Sequence, residues 1–185
     1  MKRLFAALKI EPDADFLESY RDLRHALRPE AIKWVEEHNI HVTLKFMGET
    51  EERRIPAISA ALAGCAATAQ GFEFRLSGLG IFGSSYAPRV VWTGIEPYDK
   101  LAALMKAVHS ALIPAGFEPD RQNLVPHLTL GRIKFLKDKI LFNRSLDRFR
   151  SIVSQPVRAE EIILYESVLR REGPVYTALH KFSLA

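Results

Sequence analysis

At 185 residues the chain suits one domain or two small lobes sharing a core, since most domains hold about 50–250 residues. With 48% hydrophobic and 26% charged residues it can bury a core, which excludes wholesale disorder, and no apolar run nears the ~20 residues of a membrane span. The formal charge of +4 inclines it towards an acidic partner such as RNA. The N-terminus, MKRLFAALKI, starts charged and turns apolar, but Lys9 ends the apolar patch and EPD stands where a signal peptide would place small residues. It reads as the first strand of a cytoplasmic protein. One cysteine, Cys65, cannot form an internal disulfide or a thiolate metal site alone. It fits a reducing compartment, and its setting in ALAGCAATAQ is that of a packed helical thiol.

Residues 2–10 alternate as a strand. A helix follows, with Pro12 in its first turn and Phe16, Leu17, Tyr20, Leu23 and Leu27 at helical spacing. After a polar turn around EEHN comes the strand NIHVTLKFMG. Residues 51–70 read as a helix, with Glu51 and Glu52 at its positive end and Gly71 as its stop. FEFRLSGLGIF and RVVWTGI are strands joined by GSSYAP, and YDKLAALMKAVHSALI is a helix closed by PAG. The strand containing HLTLGRI precedes a basic amphipathic stretch over 136–150. VRAEEIILYESVL and VYTALHKFSL end the chain as strands around REGP. The order is β-α-β-α-β-β-α-β-α-β-β, and no linker rich in Gly, Ser or Pro divides it. A single α+β domain over 1–185, built of two related lobes, is the expectation.

Two tetrads stand out: His41-Val-Thr43-Leu and His127-Leu-Thr129-Leu. With six histidines and six threonines in the chain, chance predicts roughly 0.2 H-x-T triplets. The two are separated by close to half the chain, as an internal duplication would leave them. Side chains alternate along a strand, so His41 and Thr43 share one face while Val42 and Leu44 take the other. His127 and Thr129 likewise face together, about 6–7 Å apart along the strand, near enough to touch one small anion. Facing lobes would bring two imidazoles and two hydroxyls around a cleft. Such a set suits phosphoryl chemistry without a metal: one imidazole takes a proton, the other donates one, and the hydroxyls hold phosphate oxygens. A lone H-x-T in a strand would instead be a satisfied sheet-edge histidine; the matched pair argues against that.

These tetrads, with RLFAAL, WVEEHNIHVTLKFMGE, LGIFGSSYAPRVVWTGI, PHLTLGRI and LYESVLRREGPVYTAL, resemble the 2H phosphoesterase superfamily. Within it, they look like the bacterial and archaeal RNA 2′,3′-cyclic phosphodiesterases, also called 2′-5′ RNA ligases. The resemblance implies a bilobal α+β fold with two pseudo-symmetric lobes, each an antiparallel-rich sheet with helices on its outer face. It implies hydrolysis of RNA 2′,3′-cyclic phosphate ends to 2′-phosphomonoesters, with no metal or other cofactor, and a reversible ATP-independent 2′-5′ ligation. Carried over, His41 would be the proton donor, His127 the proton acceptor, and Thr43 and Thr129 the phosphate holders. The residues alone do not assign acid and base.

Arg132 matches a basic position of the second motif and is a candidate for contacting phosphate or base, the alternative being a surface salt bridge. Strict alternation opposes it to His127, so the strand must twist, bulge or end near Gly131. Phe46 is a candidate for stacking on a terminal base, though its parity with Val42 and Leu44 favours the core. Lys45 has cleft parity but reads as a solvated strand-end lysine. His25 and His109 fall in helices, His38 in a turn and His180 in the last strand; with no carboxylate cluster near His38 and His41, no metal site is expected. Trp34, Trp92 and Tyr165 read as core or cleft wall. The expected partner is RNA, with no membrane, and the chain is expected to be a monomer. Two alternatives remain: a phosphodiesterase of a small cyclic nucleotide, and a non-catalytic RNA-end-binding module.

Overall fold

The computed structural model describes the chain apart from Ser85, residues 119–124 and Glu172. Its strands are β1 (Lys2–Lys9), β2 (Ala31–Trp34), β3 (His41–Thr50), β4 (Phe72–Gly83), β5 (Pro88–Glu96), β6 (Leu128–Phe135), β7 (Val157–Ala159), β8 (Glu161–Leu169) and β9 (Pro174–Ser183). Its helices are α1 (Ala14–Ala26), α2 (Ile55–Thr68), α3 (Asp99–Leu112) and α4 (Lys139–Arg148). The strands form two sheets, ordered β3-β1-β8-β9 and β2-β6-β5-β4-β7, and every pairing is antiparallel.

The two lobes are related but are not the two halves of the chain. In the first sheet β1 pairs β3 and then β8; in the second β5 pairs β6 and then β4. Each trio takes its third strand from the other half. The helices exchange as well. The α1 helix serves the second sheet, where the buried Tyr20 hydroxyl lies 2.6 Å from the Val35 carbonyl and 2.9 Å from that of Leu130. The α3 helix serves the first, where His109 is buried with its Nε2 3.0 Å from the Leu44 carbonyl in β3. The fold is therefore a bilobal α+β architecture whose lobes are stitched together by the chain itself.

Local chemistry sets the element ends. Pro12 precedes α1 rather than lying in its first turn, and Asp13 caps the helix: its carboxylate accepts from the Phe16 amide at 3.1 Å and from the Gln155 amide at 2.7 Å. The cap thus ties α1 to the loop beyond α4, and such caps contribute about 1 kcal/mol. The predicted helix over 51–70 begins as a 3-10 turn at Glu52–Arg54 before α2 proper.

Two strands differ from the sequence expectation. The β2 strand, too short to show a period, was absent from it; it pairs β6 from the far half of the chain. The final VRAEEIILYESVL splits at Glu160, because β7 pairs β4 in one sheet while β8 pairs β1 and β9 in the other. Parts of the predicted turns GSSYAP and REGP lie outside the described residues.

No helix is long and apolar enough to cross a membrane among the described residues.

Candidate active site

His41 opens β3, and His127 immediately precedes β6. Both imidazoles and both threonines, Thr43 and Thr129, line one cleft of about 530 Å³. Each ring is held in the same way. His41 Nδ1 lies 2.6 Å from the Asn39 carbonyl, and His127 Nδ1 lies 2.7 Å from the Val125 carbonyl. A carbonyl oxygen can only accept, so Nδ1 carries the hydrogen and Nε2 remains as the nitrogen that gains or loses a proton. Asn39 is itself anchored, its Nδ2 donating to the Pro174 carbonyl at 3.1 Å.

Aromatic walls fix the ring planes. Phe5 and Tyr176 flank His41 at 5.1 and 5.3 Å between centroids, and Phe82 and Trp92 flank His127 at 4.7 and 6.2 Å. Neither Phe5 nor Tyr176 was singled out from sequence, nor was Phe82. They reach the histidines across strands, a relation that no spacing in the chain encodes.

A bulge in each lobe decides what else reaches the cleft. Along β1–β3 the register steps from Ala7↔Thr43 to Ala6↔Lys45, leaving Leu44 without a partner. Along β5–β6 it steps from Trp92↔Thr129 to Val91↔Gly131, leaving Leu130 without one. Each bulge falls three residues after its histidine and reverses the facing of the residues that follow, until on β3 a second slip at Met47 reverses it again. Arg132 consequently returns to the cleft wall, as a bulge near Gly131 requires.

The same reversal overturns two expectations on β3. Phe46 is not in the core: it is 48% exposed, lines the cleft and carries the Arg3 guanidinium 4.9 Å from its ring centre. Lys45 is not a solvated end: it is buried, with Nζ donating to the Glu118 carbonyl at 2.9 Å. Phe46 and Arg132 are thus equivalent positions, each five residues after its histidine.

Electrostatics favour an anion. Arg3, Lys33, Arg132 and Lys134 line the cleft, and no Asp or Glu is among its described lining residues. Burial lowers both histidine pKa values below the usual 6.5, and the Arg132 charge lowers them further, while the two carbonyl bonds act in the opposite sense. Burial raises the Tyr176 pKa.

The other histidines sit as expected: His25 in α1, His38 in a turn, His109 in α3 and His180 in β9. Trp92 forms wall beside His127, and Trp34 packs edge-on against Tyr20 at 5.9 Å. Among the described residues, no group of three or more His, Cys, Asp and Glu could hold a metal ion.

Known proteins are similar to this chain over most of its length. A protein of Methanocaldococcus jannaschii named RNA 2′,3′-cyclic phosphodiesterase is 29% identical over 180 residues, covering 97% of this chain and 99% of its own. One of the same name from Aeropyrum pernix is 34% identical, covering 83% of this chain and 87% of its own. The crystal structure of E. coli LigT complexed with 3′-AMP superposes with a TM-score of 0.76 at 25% identity, covering 100% of this chain and 98% of that one. The LigT-like phosphoesterase profile matches residues 8–92 and 95–176, spanning both histidine motifs. The chain belongs to the LigT-like phosphoesterase family.

Proposed function

We propose that the cleft hydrolyses RNA 2′,3′-cyclic phosphate ends to 2′-phosphomonoesters. The observation that carries this reading is the pair of imidazoles, each tethered through Nδ1, on the wall of a cleft with four cations and no described carboxylate. The names of the family relatives support the substrate.

In this reading, water is the nucleophile and His127 Nε2 takes its proton as the water oxygen bonds to phosphorus. The bond from phosphorus to the 3′ oxygen breaks, and His41 supplies the proton from its Nε2. Thr43 and Thr129 donate to the non-bridging oxygens, and Arg132 balances their charge. Phe46 stacks on the terminal base. With a 5′-hydroxyl in place of water, the same steps form a 2′-5′ linkage without ATP. The 185 residues work as one bilobal unit and a monomer, in a reducing cytoplasm that suits the free thiol of Cys65.

RNA ending in a 2′,3′-cyclic phosphate, incubated with the protein in EDTA, should give a 2′-phosphate product at an undiminished rate. A 3′-phosphate product would contradict the assignment of donor and acceptor.

The pH profile tests the electrostatics. His41 must be protonated and His127 neutral, so activity falls above the pKa of the first and below that of the second. Both lie below 6.5 in the free protein. The kcat/KM optimum is therefore expected on the acid side of about pH 6.5. Arg132→Gln should move that optimum upward, because a charge that lowers both values is gone. An optimum well above neutrality would refute the assignment.

A further inference from the structure

A second cavity, of about 430 Å³, opens beside the cleft and shares Lys33, Arg132 and Tyr176 with it. Arg24 and Arg170 extend its cationic lining, and Trp34 contributes an apolar wall. Trp34 is held in place from behind: it pairs with Gly131 in β6, where even a Cβ would meet its ring at 2.8 Å. Arg24 is steered by Glu36 at 3.4 Å and by the Tyr20 ring at 5.6 Å. Glu36 is the one acidic side chain among the described residues of this cavity.

We propose that this cavity binds the penultimate nucleotide of a single-stranded RNA whose cyclic end occupies the cleft. The inference rests on the phosphodiesterase reading and names the form of its substrate. Three features of the cavity match a nucleotide. Its cations offer partners to the linking phosphate, Trp34 offers a surface to a base, and its volume is of the same order as the cleft that takes the terminal nucleotide. Arg132 and Lys33 lie at the junction, where the phosphate joining the two nucleotides has to pass. A lone cyclic mononucleotide would leave the cavity unused, so the enzyme should prefer chains of two nucleotides or more.

Two substrates decide it: a mononucleoside 2′,3′-cyclic phosphate and a dinucleotide ending in the same group. The dinucleotide is expected to show a kcat/KM on the order of tenfold higher, the effect of one stacked base. Arg24→Gln/Arg170→Gln should cut that advantage by about fivefold while leaving the mononucleotide within about twofold of the original rate. Lys100→Gln/Lys106→Gln removes the same charge from α3, whose residues line neither cavity, and should leave the advantage intact. Trp34→Phe, milder than a truncation beside Tyr20, should reduce the advantage in the same direction.

Equal kcat/KM for the two substrates in the unaltered protein would overturn the proposal and spare the phosphodiesterase reading. So would an advantage that survives in the arginine variant, or a loss shared equally by both substrates. Turnover of neither substrate by the unaltered protein would bring down both readings.

Discussion

His127→Asn and His41→Asn are each expected to lower kcat by about 10²–10⁴-fold, the range that general acid–base groups contribute. Asparagine is the informative replacement. Its side-chain amide can still donate to the Val125 or Asn39 carbonyl that Nδ1 meets in the native protein, but nothing stands where Nε2 was. Folding should therefore change little while turnover collapses. The loss should appear in kcat with a smaller change in KM, because a proton in transfer matters most in the transition state. The double variant should be scarcely worse than either single one, since groups acting as a unit do not add. Undiminished turnover in either single variant would remove the two-histidine mechanism. Turnover lost together with the fold, measured by thermal unfolding, would show the imidazoles to be structural.

Gly80→Ala should damage the site without touching a proposed catalytic group. Gly80 pairs with Trp92 across β4 and β5, and a Cβ at Gly80 would come within 2.2 Å of the indole ring. Trp92 is rigid and already packed against Phe82 at 5.3 Å and His127 at 6.2 Å between centroids. The added methyl must push that wall or bend the strand. Overpacking of this kind costs about 1–3 kcal/mol, or roughly 2–12 °C in Tm for a chain of this size. Because the displaced wall holds His127, kcat should also fall, by about tenfold or more. Gly64→Ala is the control, on an exposed face of α2 with open space around its Cβ. There, alanine should stabilise slightly through helix propensity and leave turnover alone. Equal behaviour of the two variants would mean that the Trp92 wall does not position His127.

The histidine pairs were legible because strand alternation and repetition both survive in one dimension. His41 with Thr43 and His127 with Thr129 needed only their own spacing to be placed on shared faces. Phe46 and Lys45 were misplaced for a related reason: alternation was extended through Leu44, where the register of β3 against β1 slips. The corresponding slip at Leu130 was foreseen only because Arg132 demanded it. Nothing local marks either leucine as a bulge, since the unpaired residue is apolar and buried, as alternation from Val42 or Leu128 already requires. The short β2 and the break at Glu160 were hidden differently. Each is defined by a partner strand far away in the chain, and periodicity reports a residue's face but not its neighbour. The aromatic walls of Phe5, Phe82 and Tyr176 share that limit.

The exchange of strands between halves bears on the order in which the protein is made. On the ribosome, β1 and β3 emerge early, but β1 awaits β8 along its other edge until most of the chain has been synthesised. Tyr176, which braces His41, comes later still, on β9. Long-range pairing of this sort is slow to form. A nascent chain carrying both histidine motifs would thus lack the wall and sheet that seat the first of them. The cleft is completed only once β8 and β9 have emerged, so a polypeptide cut short of them, held among ribosomal RNA, would carry its two imidazoles unassembled.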